Sequence, residues 1–178
     1  MSKTSERGFT LIEMLTVVAI VGVLATLAVY GVQKYVFASK SSEAMTMITS
    51  IKANQEAFKD ETFAYLNVSL GSFRLYPSQA PGRFKSAWSQ PTHPDFARWQ
   101  QLGVDPNGPV AFGYAVTAGA AGTSPTTLTT EEPLNYPVAT TEPWYIVVAR
   151  ADHNGDGVRS LLVSSSFTRE VYVEKEDE

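Results

Sequence analysis

The chain has 178 residues and a formal net charge of −4, with 44% hydrophobic and 18% charged residues. This balance is that of a globular protein, so wholesale disorder is excluded. Because there is no cysteine and there are only two histidines, disulfide frameworks, thiolate metal sites, cysteine nucleophiles and multi-histidine metal sites are excluded as well.

The first element is a long apolar segment. Phe9–Val32 is a stretch of 24 residues whose only charge is Glu13. As a helix it would be about 36 Å long, enough to span a hydrocarbon core of roughly 30 Å. A secretory signal has a shorter apolar stretch of about 7–15 residues that ends at a small-residue cleavage site. The segment 9–32 therefore predicts a membrane-spanning helix.

After Lys34 the helical pattern continues but becomes amphipathic. One stripe recurs at steps of three and four residues, and Met47 lies beside it. This pattern predicts one helix from Phe9 to about Asp60, roughly 78 Å long, whose second half packs on a globular domain over 33–178. The stripe consists of Ala44, Ile48, Ile51, Gln55 and Phe58.

The rest of the chain reads as irregular structure followed by strands. Thr62–Pro109 is rich in proline and aromatic residues and contains one short helix candidate, Pro94–Leu102. Ala118–Leu134 is a low-complexity stretch that predicts an exposed loop. The short links between the later strands predict an antiparallel meander, so the fold class is α+β, a long helix packed on an antiparallel sheet. The strand candidates are Val110–Thr117, Trp144–Ala151, Val158–Ser164 and Thr168–Glu174.

The most specific motif is Gly8-Phe9-Thr10-Leu11-Ile12-Glu13, which follows a short polar leader and precedes the long apolar segment. It resembles the N-terminus of type IV prepilins. The resemblance implies a leader peptide over 1–8, cleavage between Gly8 and Phe9 by a prepilin peptidase, and N-methylation of Phe9. It also implies a type IV pilin-like fold.

Glu13 is a candidate assembly residue. A carboxylate within a membrane segment costs about 2.5–3.5 kcal/mol on insertion scales, so such a residue is usually paired or functional. After cleavage it would lie four residues from a new amino terminus. An amine of this kind on a neighbouring subunit would neutralise the carboxylate and fix the axial register of a filament.

The resemblance implies a structural subunit of a type IV pilus that serves adhesion, motility or DNA uptake. Its partners would be other pilin subunits, a prepilin peptidase and an inner-membrane assembly platform. The segment that ends at Gly31 lacks the proline that major pilins commonly carry, which favours a minor pilin. The alternatives are a pseudopilin of a type II secretion system and a ligand-binding module at a pilus tip. The expected location is the bacterial inner membrane, then the cell surface or a periplasm-spanning filament.

Three weaker features complete the sequence. Asp152, Asn154 and Asp156 match the front half of a calcium loop, but Val163 stands where a closing glutamate would be needed. The sequence therefore predicts either weak calcium binding or a plain turn formed by Gly155 and Gly157. The scattered histidines and acids give no nucleophile–base pair, and the acidity argues against a nucleic-acid partner, so the protein is predicted not to be an enzyme. Four aromatic residues form a candidate ligand patch: Phe84, Trp88, Phe96 and Trp99.

Overall fold

The computed structural model describes residues 8–70, 72–125, 127–134 and 136–175. Met1–Arg7, which make up most of the predicted leader, therefore lie outside the described residues. The chain divides into two compact units, with the boundary between Val36 and Phe37.

The predicted fold class is confirmed, because a long helix is packed with a four-stranded antiparallel sheet. The strand order is β1-β2-β3-β4, a simple meander. The helices are α1 (Leu11–Thr62) and α2 (Phe96–Leu102), and the strands are β1 (Gly113–Gly119), β2 (Trp144–Ala151), β3 (Ser160–Ser165) and β4 (Tyr172–Glu174).

The limits of three predicted strands were wrong, and local hydrogen bonds explain why. The backbone of Val110 exchanges hydrogen bonds with Ser86 instead of joining the sheet, so β1 begins later and continues to Gly119. The Val158 amide donates to the Asp156 carboxylate at 2.7 Å, and β3 begins two residues further on. The Glu170 amide donates to the Thr168 hydroxyl in the same way, which delays β4.

The globular unit has its main core between α1 and the inner face of the sheet. The predicted stripe is confirmed for Ala44, Met47, Ile48, Ile51 and Gln55, which are buried, while Phe58 is partly buried against them. The apolar members of this set belong to one core cluster with side chains of β1, β2 and β3, of which the largest are Tyr114, Val116, Tyr145, Val147 and Leu162.

A buried amide fixes the end of this helix. The Gln55 side chain accepts from the Leu66 amide at 2.9 Å and donates to the Leu66 carbonyl at 2.8 Å. A buried polar side chain costs free energy unless it is paired, and here both halves of the amide are satisfied. The chain that leaves α1 is thereby held against its last turns.

The outer face of the sheet is also covered, by loops. Leu75 and the partly buried Phe73 pack there, and so do Leu128 and Leu134 from the low-complexity loop. The prediction that this loop is simply exposed was therefore incomplete. Its apolar residues bury the outer face of β2 and β3, which explains why those strands are apolar on both faces. The outward side chains are Trp144, Ile146, Val148, Leu161 and Val163.

Candidate functional site

The N-terminal motif lies at the start of α1 and is open to solvent. Gly8, Phe9 and Thr10 are exposed and precede the helix, which begins at Leu11. Among the described residues, and leaving aside the glycine and its two chain neighbours, no heavy atom lies within 4 Å of the position that a Cβ of Gly8 would occupy. Because a peptidase must bind an extended segment, an exposed and non-helical bond between Gly8 and Phe9 is compatible with cleavage at that position.

Thr10 and Glu13 cap the helix reciprocally. The Glu13 carboxylate accepts from the Thr10 amide at 2.8 Å and from the Thr10 hydroxyl at 2.6 Å. The Glu13 amide donates to the Thr10 hydroxyl at 3.3 Å. This arrangement is a capping box, in which the first-turn glutamate satisfies a backbone amide that the helix leaves unpaired.

This second role of Glu13 was missed by the sequence analysis, although its signal was present. The spacing Thr10-x-x-Glu13 in front of an apolar segment is the capping-box pattern. In the single chain, the carboxylate therefore has an identified partner in Thr10. Any effect of a Glu13 substitution must accordingly be separated into loss of the cap and loss of the charge.

The surface that follows the capping box is apolar and exposed. Every described residue from Gly8 to Val36 is exposed, including Leu11 at 80% and Ile12 at 73%. Among the described residues, α1 alone has an apolar window long enough to cross a membrane, and none of that window is buried. Contiguous apolar surface of this extent marks contact with a membrane or with other proteins.

The second predicted site forms a loop between β2 and β3. The Asp152 carboxylate accepts from the Gly155 and Gly157 amides at 2.7 and 3.1 Å. The Asn154 side-chain oxygen accepts from the Asp156 amide at 2.9 Å. The φ angles of 84° at Gly155 and 90° at Gly157 confirm that these glycines supply the positive backbone angles of the turn.

The structure brings the three candidate calcium residues together in a loop that binds its own backbone. Among the described residues, no group of three or more histidine, aspartate or glutamate side chains is arranged to hold a metal ion. The set Asp152, Asn154 and Asp156 contains only two such residues. Calcium binding at this loop stays a prediction.

The predicted aromatic patch separates into two parts. Trp88, Phe96 and Trp99 line one cleft together with Tyr76. The ring centroids of Trp88 and Trp99 are 5.2 Å apart in an edge-to-face arrangement. Tyr76 stacks on Trp99 with a centroid distance of 5.5 Å. Phe84 is not part of this cluster, and its side chain is 83% exposed.

An exposed apolar helix that begins in a capping box continues as an amphipathic helix packed on an antiparallel meander. The family described as "Prokaryotic N-terminal methylation motif" matches residues 3–29. This chain therefore carries the N-terminal methylation motif of type IV prepilins, and its long helix with an antiparallel sheet is the α+β arrangement of type IV pilins.

Curated relatives are similar to part of the chain. The type IV major pilin protein PilA of Myxococcus xanthus is 44% identical over 60 residues, 34% of this chain and 27% of that protein. A fimbrial protein of Moraxella nonliquefaciens is 40% identical over 50 residues, 28% of this chain and 32% of that protein. Fimbrial protein EcpC of Eikenella corrodens is 42% identical over 62 residues, 34% of this chain and 40% of that protein.

The match thus spans well under half the length of these relatives. No solved structure matches the chain significantly. The relatives are structural pilin and fimbrial proteins rather than enzymes, in agreement with the sequence-based prediction.

Proposed function

We propose that this chain is a structural subunit that assembles through its N-terminal helix into a type IV pilus. The observation that carries the proposal is the exposed apolar segment Phe9–Val32, whose only charge is Glu13, together with the N-terminal methylation motif. Before assembly, this surface would be buried in the inner membrane, and afterwards it would be buried among the helices of other subunits. A prepilin peptidase and an inner-membrane assembly platform are the partners that this sequence of events requires.

Within this proposal, the finer assignment is a minor pilin. A proline near the end of the apolar segment would remove a helical hydrogen bond and promote local melting. This chain has no proline before Pro77, and α1 is helical without a break through Gly22 and Gly31. The relatives with "major" in their names match at most 34% of the chain, so those names leave the assignment open. A pseudopilin remains the second candidate, because the same helix and processing would serve it.

The first test is processing. Mass spectrometry of protein from native membranes and from sheared filaments should show a chain that begins at methylated Phe9. By resemblance to type IV prepilins, replacement of Gly8 by a bulky residue should block cleavage and leave the leader attached. An unprocessed chain within assembled filaments would contradict the proposal.

The second test separates the two roles of Glu13. Glu13→Gln removes the charge but keeps an oxygen that can accept in the capping box, whereas Thr10→Ala removes the cap and keeps the charge. We expect Glu13→Gln to insert into the membrane but to be poorly incorporated into filaments, because the amine of the neighbouring subunit loses its counter-charge. Thr10→Ala should be incorporated nearly normally. The reverse order would show that Glu13 acts as a helix cap only.

A further inference from the structure

One exposed loop of the globular unit combines an aromatic ring with positive charges. We call residues Arg83, Phe84 and Lys85 the basic loop. Phe84 is 83% exposed, and both flanking cations are exposed as well. Burial of a phenylalanine ring is favourable, so an exposed ring between two cations offers a partner both an apolar and a cationic contact.

The basic loop is held in place on α1. The Lys85 ammonium contacts the Glu43 carboxylate at 2.5 Å, and the other Glu43 oxygen accepts from the Ala111 amide at 2.9 Å. Immediately after the loop, Ser86 and Val110 exchange two backbone hydrogen bonds of 2.8 and 2.9 Å. The loop therefore projects from a fixed support beside Glu43.

Lys40 adds a third cation to the same surface. Burial, and then the positive charge of Arg83, lowers the pKa of Lys40, with a smaller contribution from Lys85 and an opposing one from Glu43. Two carboxylates lie beside these three cations: Glu43, which pairs with Lys85, and Asp152, whose backbone amide donates to the Pro81 carbonyl at 3.1 Å. The surface thus keeps an excess of positive charge, in a chain whose overall formal charge is −4.

The position of Lys40 in the chain brings this surface to the membrane. Lys40 follows Val32, the last residue of the apolar segment, by eight residues of α1. Eight helical residues span about 12 Å. The headgroup layer on each side of the hydrocarbon core is roughly 5–8 Å thick. Once the apolar segment is in the bilayer, Lys40 cannot lie far from the headgroups.

We propose that Lys40, Arg83, Phe84 and Lys85 form an interfacial anchor that binds anionic phospholipid headgroups. The cations would contact headgroup phosphates, and the Phe84 ring would enter the boundary between headgroups and acyl chains. The anchor would hold the globular unit at the membrane until the subunit is extracted into a filament. This inference rests on the proposed membrane-spanning function of the N-terminal helix. Lipid is favoured over a second copy of the chain as the partner of this surface. The reason is that the membrane-spanning segment keeps Lys40 near headgroups in every membrane-bound subunit, whether or not a second copy is present.

The absence of cysteine allows a direct test on the full chain. Phe84→Cys is labelled with an environment-sensitive fluorophore and reconstituted, at no more than one copy per vesicle, in phosphatidylcholine with or without phosphatidylglycerol. Phe63→Cys is the matched control, because Phe63 is 86% exposed but lies beyond the other end of the amphipathic half of α1. With phosphatidylglycerol, the emission maximum of the label at position 84 should shift to shorter wavelength, and iodide should no longer quench its fluorescence. The label at position 63 should show neither change.

Three further measurements make the outcome decisive. Arg83→Gln in the labelled chain should restore iodide quenching, whereas Arg169→Gln, at another exposed arginine, should not. Salt at 1 M, where the Debye length is about 3 Å, should reverse the shielding. A label at Val21→Cys reports whether the helix itself is in the bilayer. If position 21 is shielded but position 84 behaves like position 63, or if shielding does not depend on phosphatidylglycerol, the anchor is refuted. If position 21 is not shielded, the proposed membrane-spanning function fails instead.

Discussion

The two units of this chain use the same secondary structure in opposite ways. Up to Val32, and apart from Glu13 in its first turn, helix α1 is apolar on every side, and all of its described residues are exposed in the single chain. From Phe37 onward, the same helix is apolar along one stripe. The side chains of Ile48 and Ile51 in this stripe are fully buried. A helix that is apolar all round requires a membrane or a protein interior, whereas one stripe is satisfied by a sheet. Composition around the helix, rather than helicity, therefore determines where each half can be buried.

The largest expected effect follows from separating the two units. Deletion of Met1–Tyr35 should convert a protein that requires a membrane or detergent into a soluble monomer with a cooperative thermal transition. The physical reason is that the exposed apolar surface is removed while the buried stripe keeps its contacts with the sheet. Size-exclusion chromatography and circular dichroism check this prediction. Aggregation without a cooperative transition would show that the globular unit depends on its apolar helix.

Two isoleucines on the same helix sharpen the comparison. Ile48→Ala removes a fully buried side chain and should lower the free energy of unfolding of the globular unit by about 2–5 kcal/mol. Ile20→Ala removes an isoleucine that is 55% exposed and should leave that free energy unchanged. Denaturant titration of the full chain in detergent, followed by near-ultraviolet circular dichroism, measures both. Equal effects would contradict the division of α1 into two environments.

A buried histidine gives the globular unit a predicted dependence on pH. The side chain of His153 is 4% exposed. Its ring packs edge-to-face with Phe112 at a centroid distance of 4.8 Å and is stacked with Phe37 at 6.3 Å. Burial, assisted by the charge of Lys40, lowers the pKa of His153 to about 4, against an ordinary value of 6.5. The neutral form is thus favoured in the folded state. The stabilisation is complete above pH 6.5 and is lost as the pH falls toward 4, by up to about 3 kcal/mol.

The control for this prediction keeps the ring packing and removes the titration. His153→Phe in the truncated unit should remain comparatively stable between pH 6.5 and 4, while the unmodified unit should lose stability over the same interval. Melting temperatures of the two proteins at several pH values provide the comparison. Parallel curves would assign the acid sensitivity to other groups.

The sequence predicted more of the first unit than of the second, for physical reasons. The membrane-length segment, the processing motif and the buried stripe depend on local composition and spacing, which are visible in the chain. The first residues of β1, β3 and β4 depend on hydrogen bonds of single backbone amides. One example is the Val158 amide, which donates to the Asp156 carboxylate. Contacts between residues that are far apart in the sequence cannot be predicted from a local pattern. The partial burial of Leu128 depends on such contacts, and so does the separation of Phe84 from the other aromatic residues. The capping box of Thr10 and Glu13 was readable but was hidden by the stronger prepilin motif.

The smallest expected effect concerns calcium at the loop between β2 and β3. A Ca²⁺ ion needs six to eight oxygen ligands, and this loop offers two carboxylates and one amide oxygen. Both Asp152 oxygens already accept backbone amides, and one Asp156 oxygen accepts from Val158. Binding would compete with those hydrogen bonds, so we expect a dissociation constant no better than about 10⁻⁴–10⁻³ M.

The test is the melting temperature of the truncated unit in millimolar Ca²⁺ and in chelator. With free Ca²⁺ near the dissociation constant, ligand linkage contributes well under about 1 kcal/mol, so the shift should be barely measurable. Asp156→Asn is the informative variant, because the amide oxygen can still accept from the Val158 amide while the negative charge is lost. A shift of several degrees that disappears in Asp156→Asn would establish a calcium site. If the melting temperature changes neither with Ca²⁺ nor with the substitution, the calcium prediction is wrong, and the loop is a turn held by its own side chains.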